Sequence, residues 1–87
     1  MNSINENISG QHGGGLAIWD NSSAEVRNSN ISNNTASGNG GGVLIDASNP
    51  IFENIQIVGN SSGDLGGGIR VDGNSYPFMN NMVVTNN

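Results

Sequence analysis

Three aspartates, Asp20, Asp46 and Asp72, stand 26 residues apart in a chain of 87. Carboxylates stacked at a regular step concentrate negative charge and could hold Ca²⁺ through oxygen ligands. Two of them about 6.5–9.5 Å apart could instead share the work of an inverting polysaccharide hydrolase. An Asp that closes an apolar stretch is also a common turn former, facing solvent. Trp19 lies beside Asp20, and a shallow carbohydrate site is built this way, with the ring stacked on the sugar and the carboxylate taking hydroxyl hydrogen bonds. Tyr76 is the other aromatic expected at the surface, because Phe52 and Phe78 fall in an apolar column. The candidate carbohydrate-binding residues are therefore Trp19, Asp20 and Tyr76, the candidate metal ligands are Asp20, Asp46 and Asp72, and no catalytic residue is assigned.

The remaining reactive side chains are few. A lyase needs a base near bound metal, and only Arg27 and Arg70 are available, on different strands and in different repeats, where an arginine is ordinarily a surface charge. His12 aligns with Asn39 and Leu65 and has no Ser, Cys or Asp partner at a repeat position, so a nucleophilic site is not built around it. The glycine triplets precede apolar alternation, with no Lys-Ser or Lys-Thr after them, which excludes a phosphate loop. Sequons begin at Asn7, Asn21, Asn30, Asn33 and Asn60, as chance provides in a chain with 17 Asn and 11 Ser. Two basic residues against seven acidic ones exclude neutralisation of a nucleic-acid backbone. No apolar run is long enough to span a bilayer, the first residues do not read as a signal peptide, and there is no cysteine for a disulfide or thiolate site.

What positions these residues is a repeat. Glycine triplets at 13–15, 40–42 and 66–68 each open an apolar alternation: Leu16-Ala17-Ile18, Val43-Leu44-Ile45 and Ile69-Arg70-Val71. First and third side chains share one face of a strand, and Arg70 marks the outward one. A step of 26 also links Val26, Phe52 and Phe78; Asn28, Asn54 and Asn80; Ile31, Ile57 and Val83; and Asn34, Asn60 and Asn86. Ile4 and Asn7 extend two of these columns backwards. The single triplet spacing of 27 places one extra residue, Trp19, at a corner. Gly, Asn and β-branched residues disfavour helix. Three short strands per repeat, near 16–18, 24–27 and 29–32 in the first full coil, predict an all-β parallel solenoid of about three coils of 26–27 residues, divided as 1–12 (partial), 13–39, 40–65 and 66–87. Its interior columns are Leu16/Val43/Ile69, Ile18/Ile45/Val71, Val26/Phe52/Phe78 and Ile4/Ile31/Ile57/Val83. Identical Asn columns can share amide hydrogen bonds along the axis.

The segment from Ile31 to Val43, Ile-Ser-Asn-Asn-Thr-Ala-Ser-Gly-Asn-Gly-Gly-Gly-Val, resembles the right-handed parallel β-helix repeats of bacterial exported proteins. Ile4-x-x-Asn7, Ile57-x-x-Asn60 and Val83-x-x-Asn86, with the three triplets, are similar to the paired signatures of polymorphic outer-membrane protein repeats. Ile or Val stands where that family favours Phe, and a third Gly where it favours Ala. The broader likeness is to the pectate-lyase-like β-helix superfamily. It implies the right hand of the coil, an extracellular or cell-surface location, and a structural or adhesive shaft segment with no catalytic role of its own.

The alternative it implies is part of a polysaccharide-binding or polysaccharide-cleaving β-helix, whether or not the segment is enzymatic. Partners under these readings are a polysaccharide, a host or cell surface, neighbouring β-helix coils, or copies of the chain end to end. Nucleic acid and a membrane span are not expected, and no cofactor is assigned apart from the Ca²⁺ considered above. With no cap in sight and the last repeat stopping midway, the chain reads as a segment of a longer solenoid.

Overall fold

A computed structural model describes residues 1–87 as ten strands without a helix: β1 (Asn2–Asn5), β2 (Ile8–Ser9), β3 (Leu16–Ile18), β4 (Glu25–Ser32), β5 (Thr35–Ala36), β6 (Val43–Asp46), β7 (Ile51–Val58), β8 (Ser61–Ser62), β9 (Ile69–Asp72) and β10 (Phe78–Thr85). They form three sheets, ordered β1-β4-β7-β10, β2-β5-β8 and β3-β6-β9. Every pairing is parallel and joins one coil to the next. The result is a parallel β-solenoid of about three coils, as the repeat predicts. The two-residue strands β2, β5 and β8 form a third wall that the alternation pattern is too short to reveal.

The long strands are bent rather than straight. Asn28, Asn54 and Asn81 have φ of 50°, 57° and 54°, and the ladder skips from Arg27 to Ser29 and from Glu53 to Ile55. Asn reaches the left-handed region at lower cost than other residues with a side chain, because its short amide bonds locally. Each of β4, β7 and β10 is thus two short arms hinged at an Asn, which reconciles one eight-residue strand with the two expected over 24–27 and 29–32.

Gly40, Gly41 and Gly42 are required for three different reasons. Gly40 has φ +71°, which a side chain disfavours. A Cβ on Gly41 would collide with the carbonyl oxygens of Gly67 and Ser61. A Cβ on Gly42 would lie 2.6 Å from Gly68 O and 3.0 Å from Asn60 Nδ2. Successive triplets can therefore hydrogen-bond backbone to backbone, Gly14 N–H to Gly40 O at 3.0 Å and Gly41 N–H to Gly66 O at 2.9 Å.

The register confirms the columns Leu16/Val43/Ile69 and Ile18/Ile45/Val71. It also locates the extra residue of the first coil. Ile18 pairs with Ile45, whereas Ser22 N–H donates to the Oγ of Ser48, 26 residues on. One additional residue is accommodated between Ile18 and Ser22, where Trp19 stands.

The last coil departs from the expected step. Asp46 still pairs with Asp72, but Ser48 N–H donates to the Oγ of Ser75, 27 residues on. A second extra residue sits between Asp72 and Ser75, and every later position shifts by one. The columns end Val26/Phe52/Met79 and Ile4/Ile31/Ile57/Val84, so Phe78 and Val83 are not interior residues. Phe78 pairs with Ile51 on the outward face and is 60% exposed. The core proper belongs to the middle of the stack, where Ile31, Val43, Ile45, Phe52, Ile55 and Ile57 are fully buried.

Candidate functional site

The most ordered polar array in the molecule is a ladder of asparagines. Asn7, Asn34, Asn60 and Asn87 each follow a residue of positive φ: Glu6, Asn33, Gly59 and Asn86. That corner turns the amide inward. Asn7 N–H and Nδ2 both donate to Asn34 Oδ1 at 3.0 Å. Asn60 N–H and Nδ2 both donate to Asn87 Oδ1 at 2.9 Å. The other amide hydrogens reach back to the preceding coil, from Asn34 Nδ2 to Ile4 O (3.1 Å) and from Asn60 Nδ2 to Ile31 O (2.9 Å). Asn34 and Asn60 are buried with donors and acceptors both engaged, as interior amides must be. The terminal rung is Asn87, not Asn86.

A second ladder runs along the bends, with Asn54 Nδ2 donating to Asn28 Oδ1 (2.8 Å) and Asn81 Nδ2 to Asn54 Oδ1 (3.1 Å). It is exposed and ends at Asn81 rather than Asn80. A third, formed by Ser22, Ser48 and Ser75, has no counterpart in the columns read from sequence. Each hydroxyl donates to a carbonyl of its own coil, Ser48 Oγ to Asp46 O at 2.9 Å and Ser75 Oγ to Asp72 O at 2.6 Å. The Ser48 and Ser75 hydroxyls also accept an N–H from the coil before, as described above. Ser48-Asn49-Pro50 and Ser75-Tyr76-Pro77, 27 residues apart, were the sequence signal for it.

His12 also serves the stack. Its Nδ1 accepts the Asn39 N–H at 2.9 Å, and one coil on Asn39 Oδ1 accepts the Leu65 N–H at 2.8 Å. The His12 ring lies 6.4 Å from that of Trp19, tilted by 59°.

The aspartate column is gathered only in part. Asp46 and Asp72 are register partners, while Asp20 sits at the enlarged first corner with φ 55°, outside any strand. No three His, Cys, Asp or Glu side chains come together as metal ligands do. Asp72 Oδ2 lies 3.6 Å from Arg70 Nη2, and Asp72 Oδ1 accepts the Gly73 N–H at 3.0 Å. Trp19 and Tyr76 are exposed, as expected, on the first and third coils, and Tyr76 N–H donates to Asn49 Oδ1 (2.8 Å). No pocket joins them. Arg27 is a surface cation between two carboxylates, Glu25 at 2.6 Å and Glu53 at 3.6 Å. The Glu25 hydrogen bond and charge, with a smaller contribution from Glu53, push its guanidinium above the ordinary value.

Residues 2–87 match the family model described as the right handed beta helix region. The chain belongs to the right-handed β-helix family. No curated protein and no solved structure matches it. Membership supplies the hand of the coil and accounts for the ladders: in a right-handed β-helix each column meets itself one coil on, so a single residue type repeated at the coil period bonds to its own copies. In this β-helix the amides of the asparagine columns bond to neighbouring coils, and the Ser48 and Ser75 hydroxyls accept an N–H from the coil before while donating within their own.

Proposed function

We propose that this β-helix is a structural shaft segment of an exported or cell-surface bacterial protein, with adhesion as the service the shaft performs. The observation that supports the reading is the asparagine ladder, continuous from Asn7 to Asn87 through Asn34 and Asn60. Its polar groups are directed along the axis, from coil to coil, which is how a rod resists being pulled apart. The resemblance to repeats of exported proteins supports the location.

Two measurements test it. Pulled between its ends, a shaft yields in steps of one coil, each releasing about 90 Å of chain for 26–27 residues at roughly 3.5 Å apiece. Release of the whole chain in one low-force step would count against it. Titration with polysaccharide fragments, followed by the fluorescence of the single tryptophan, is expected to give no saturable change. A saturable change that disappears in Asp20→Ala, which leaves the fluorophore in place, would put carbohydrate recognition by Trp19, Asp20 and Tyr76 in the place of the shaft.

A further inference from the structure

Asn39-Gly40 is the only Asn-Gly step in the chain. In an unfolded chain such a step is chemically unstable. The backbone nitrogen of the second residue attacks the side-chain carbonyl carbon of the first, and glycine, without a Cβ, leaves the approach open. Asn2, Asn21, Asn28, Asn60 and Asn74 are followed instead by Ser, whose side chain hinders the same attack. The vulnerable step lies inside the stack, bonded to a coil on either side.

The fold holds both reacting groups on one residue of the next coil. Gly40 N–H, on the attacking nitrogen, donates to Leu65 O at 2.9 Å, and Asn39 Oδ1, on the carbon to be attacked, accepts the Leu65 N–H at 2.8 Å. The coil before holds the same dipeptide from the other side. Asn39 N–H donates to His12 Nδ1 at 2.9 Å, and Asn39 O accepts the Gly13 N–H at 3.0 Å. Attack requires the Asn39 side chain to swing over the Gly40 nitrogen, which breaks the bonds to Leu65. Gly40 is buried, so no water stands ready to replace them.

We propose that Asn39-Gly40 is a modification site gated by coil opening: when Leu65 separates from it, Asn39 loses its amide nitrogen, and the isoaspartate that follows prevents the coil from closing again. The Gly40 nitrogen attacks Cγ of Asn39, the Cγ–Nδ2 bond breaks, and the amide nitrogen leaves as ammonia with the proton that Gly40 gives up. Water then opens the cyclic imide at either carbonyl. Opening at Cγ leaves an aspartate at position 39 with the ordinary backbone. Opening at the α-carbonyl leaves isoaspartate, in which the chain runs through Cβ and Cγ and the former backbone carbonyl is a free carboxylate. The aspartate still offers an oxygen to the Leu65 N–H. Isoaspartate adds a backbone atom just before the triplet and takes the Asn39 carbonyl away from the Gly13 N–H. The triplet cannot absorb that shift, because Gly41 is packed so closely that a single Cβ would collide with the carbonyl oxygens of Gly67 and Ser61. The inference rests on the interior of the stack and is independent of the shaft reading.

Incubation of the full chain at mildly alkaline pH, folded and in guanidinium chloride, tests it, followed by mass spectrometry with peptide mapping that distinguishes aspartate from isoaspartate. The expected result is exchange of the amide NH₂ for OH concentrated at Asn39 in denaturant, and at least about tenfold slower in the folded chain, because the population of the open form governs the rate. After removal of denaturant, chains with aspartate at position 39 are expected to regain the β signal in circular dichroism and chains with isoaspartate to fail. Asn39→Asp separates charge from backbone and is expected to fold as the parent does. Equal rates in the folded and denatured chain overturn the proposal, as does modification centred on an Asn-Ser step. Isoaspartate chains that refold as well as the aspartate ones also overturn it, and failure of Asn39→Asp to fold would trace the block to charge instead of the altered backbone.

Discussion

Asn34 gives both its backbone N–H and its side-chain amide to one oxygen, Asn60 Oδ1, at 2.8 and 3.0 Å. Two donors from one residue meet one acceptor in the next coil, so the coils are held in register by a side chain as well as by the backbone. The same pair of bonds repeats above and below. Removing a rung strands polar groups in the interior, and that asymmetry makes the ladder testable.

Asn60→Ala is expected to cost about 3 kcal/mol or more, since it leaves the buried Asn34 donors and the Ile31 carbonyl without partners, at roughly 1–3 kcal/mol for each unsatisfied group. Asn54→Gly removes a rung of the exposed ladder, where water replaces the lost partners, while glycine keeps the left-handed φ of 57° without strain, and is expected to cost about 1 kcal/mol or less. Urea denaturation of both variants decides; equal losses would mean that burial of the amides contributes nothing particular.

Gly41→Ala places a Cβ on the carbonyl oxygens of Gly67 and Ser61. Neither backbone can withdraw without opening the coil, so a loss at or beyond about 3 kcal/mol is expected, the upper end for overpacking. Gly10 has nothing within 4 Å of the corresponding position and no positive φ. Gly10→Ala should change stability by no more than about 1 kcal/mol, in the stabilising direction through a less flexible unfolded chain.

His12 and Asn39 perform the same task one coil apart, each accepting an N–H from the following coil. His12→Asn is therefore expected to preserve the thermal midpoint to within a few degrees, whereas His12→Leu, which has no acceptor, lowers it by the equivalent of about 1 kcal/mol. A larger loss from Asn than from Leu would show that His12 acts through something other than this bond, for instance its neighbour Trp19.

Millimolar Ca²⁺ is expected to leave the melting midpoint unchanged, because Asp46 and Asp72 are neighbours but Asp20 is not gathered with them into a metal cluster. Ligand binding to the folded state alone raises stability by mass action. A rise in midpoint with Ca²⁺ that vanishes in Asp72→Asn would establish the aspartate column as a metal site.

The period of the chain was legible without coordinates, because a column that stacks on itself must use compatible residues in every coil. Glycine triplets, Ile and Val columns and recurring Asn are sufficient for a parallel solenoid, for the interior faces of the first two coils and for the place of Trp19 at a corner. Of the candidate site, the exposure of Trp19 and Tyr76 could be anticipated, and so could the pairing of Asp46 with Asp72. The register of the last coil could not, since its residues come in doublets: Asn80-Asn81, Val83-Val84 and Asn86-Asn87 satisfy a step of 26 or of 27 equally well. Tertiary structure chose the second. Only that step places Asn81 and Asn86 at the left-handed corners and Asn87 on the buried ladder, where its oxygen completes the hydrogen bonds of Asn60. Apolar patterning measures which face a side chain prefers, whereas register is decided by which backbone and amide groups find partners, and those partners lie a whole coil away in sequence.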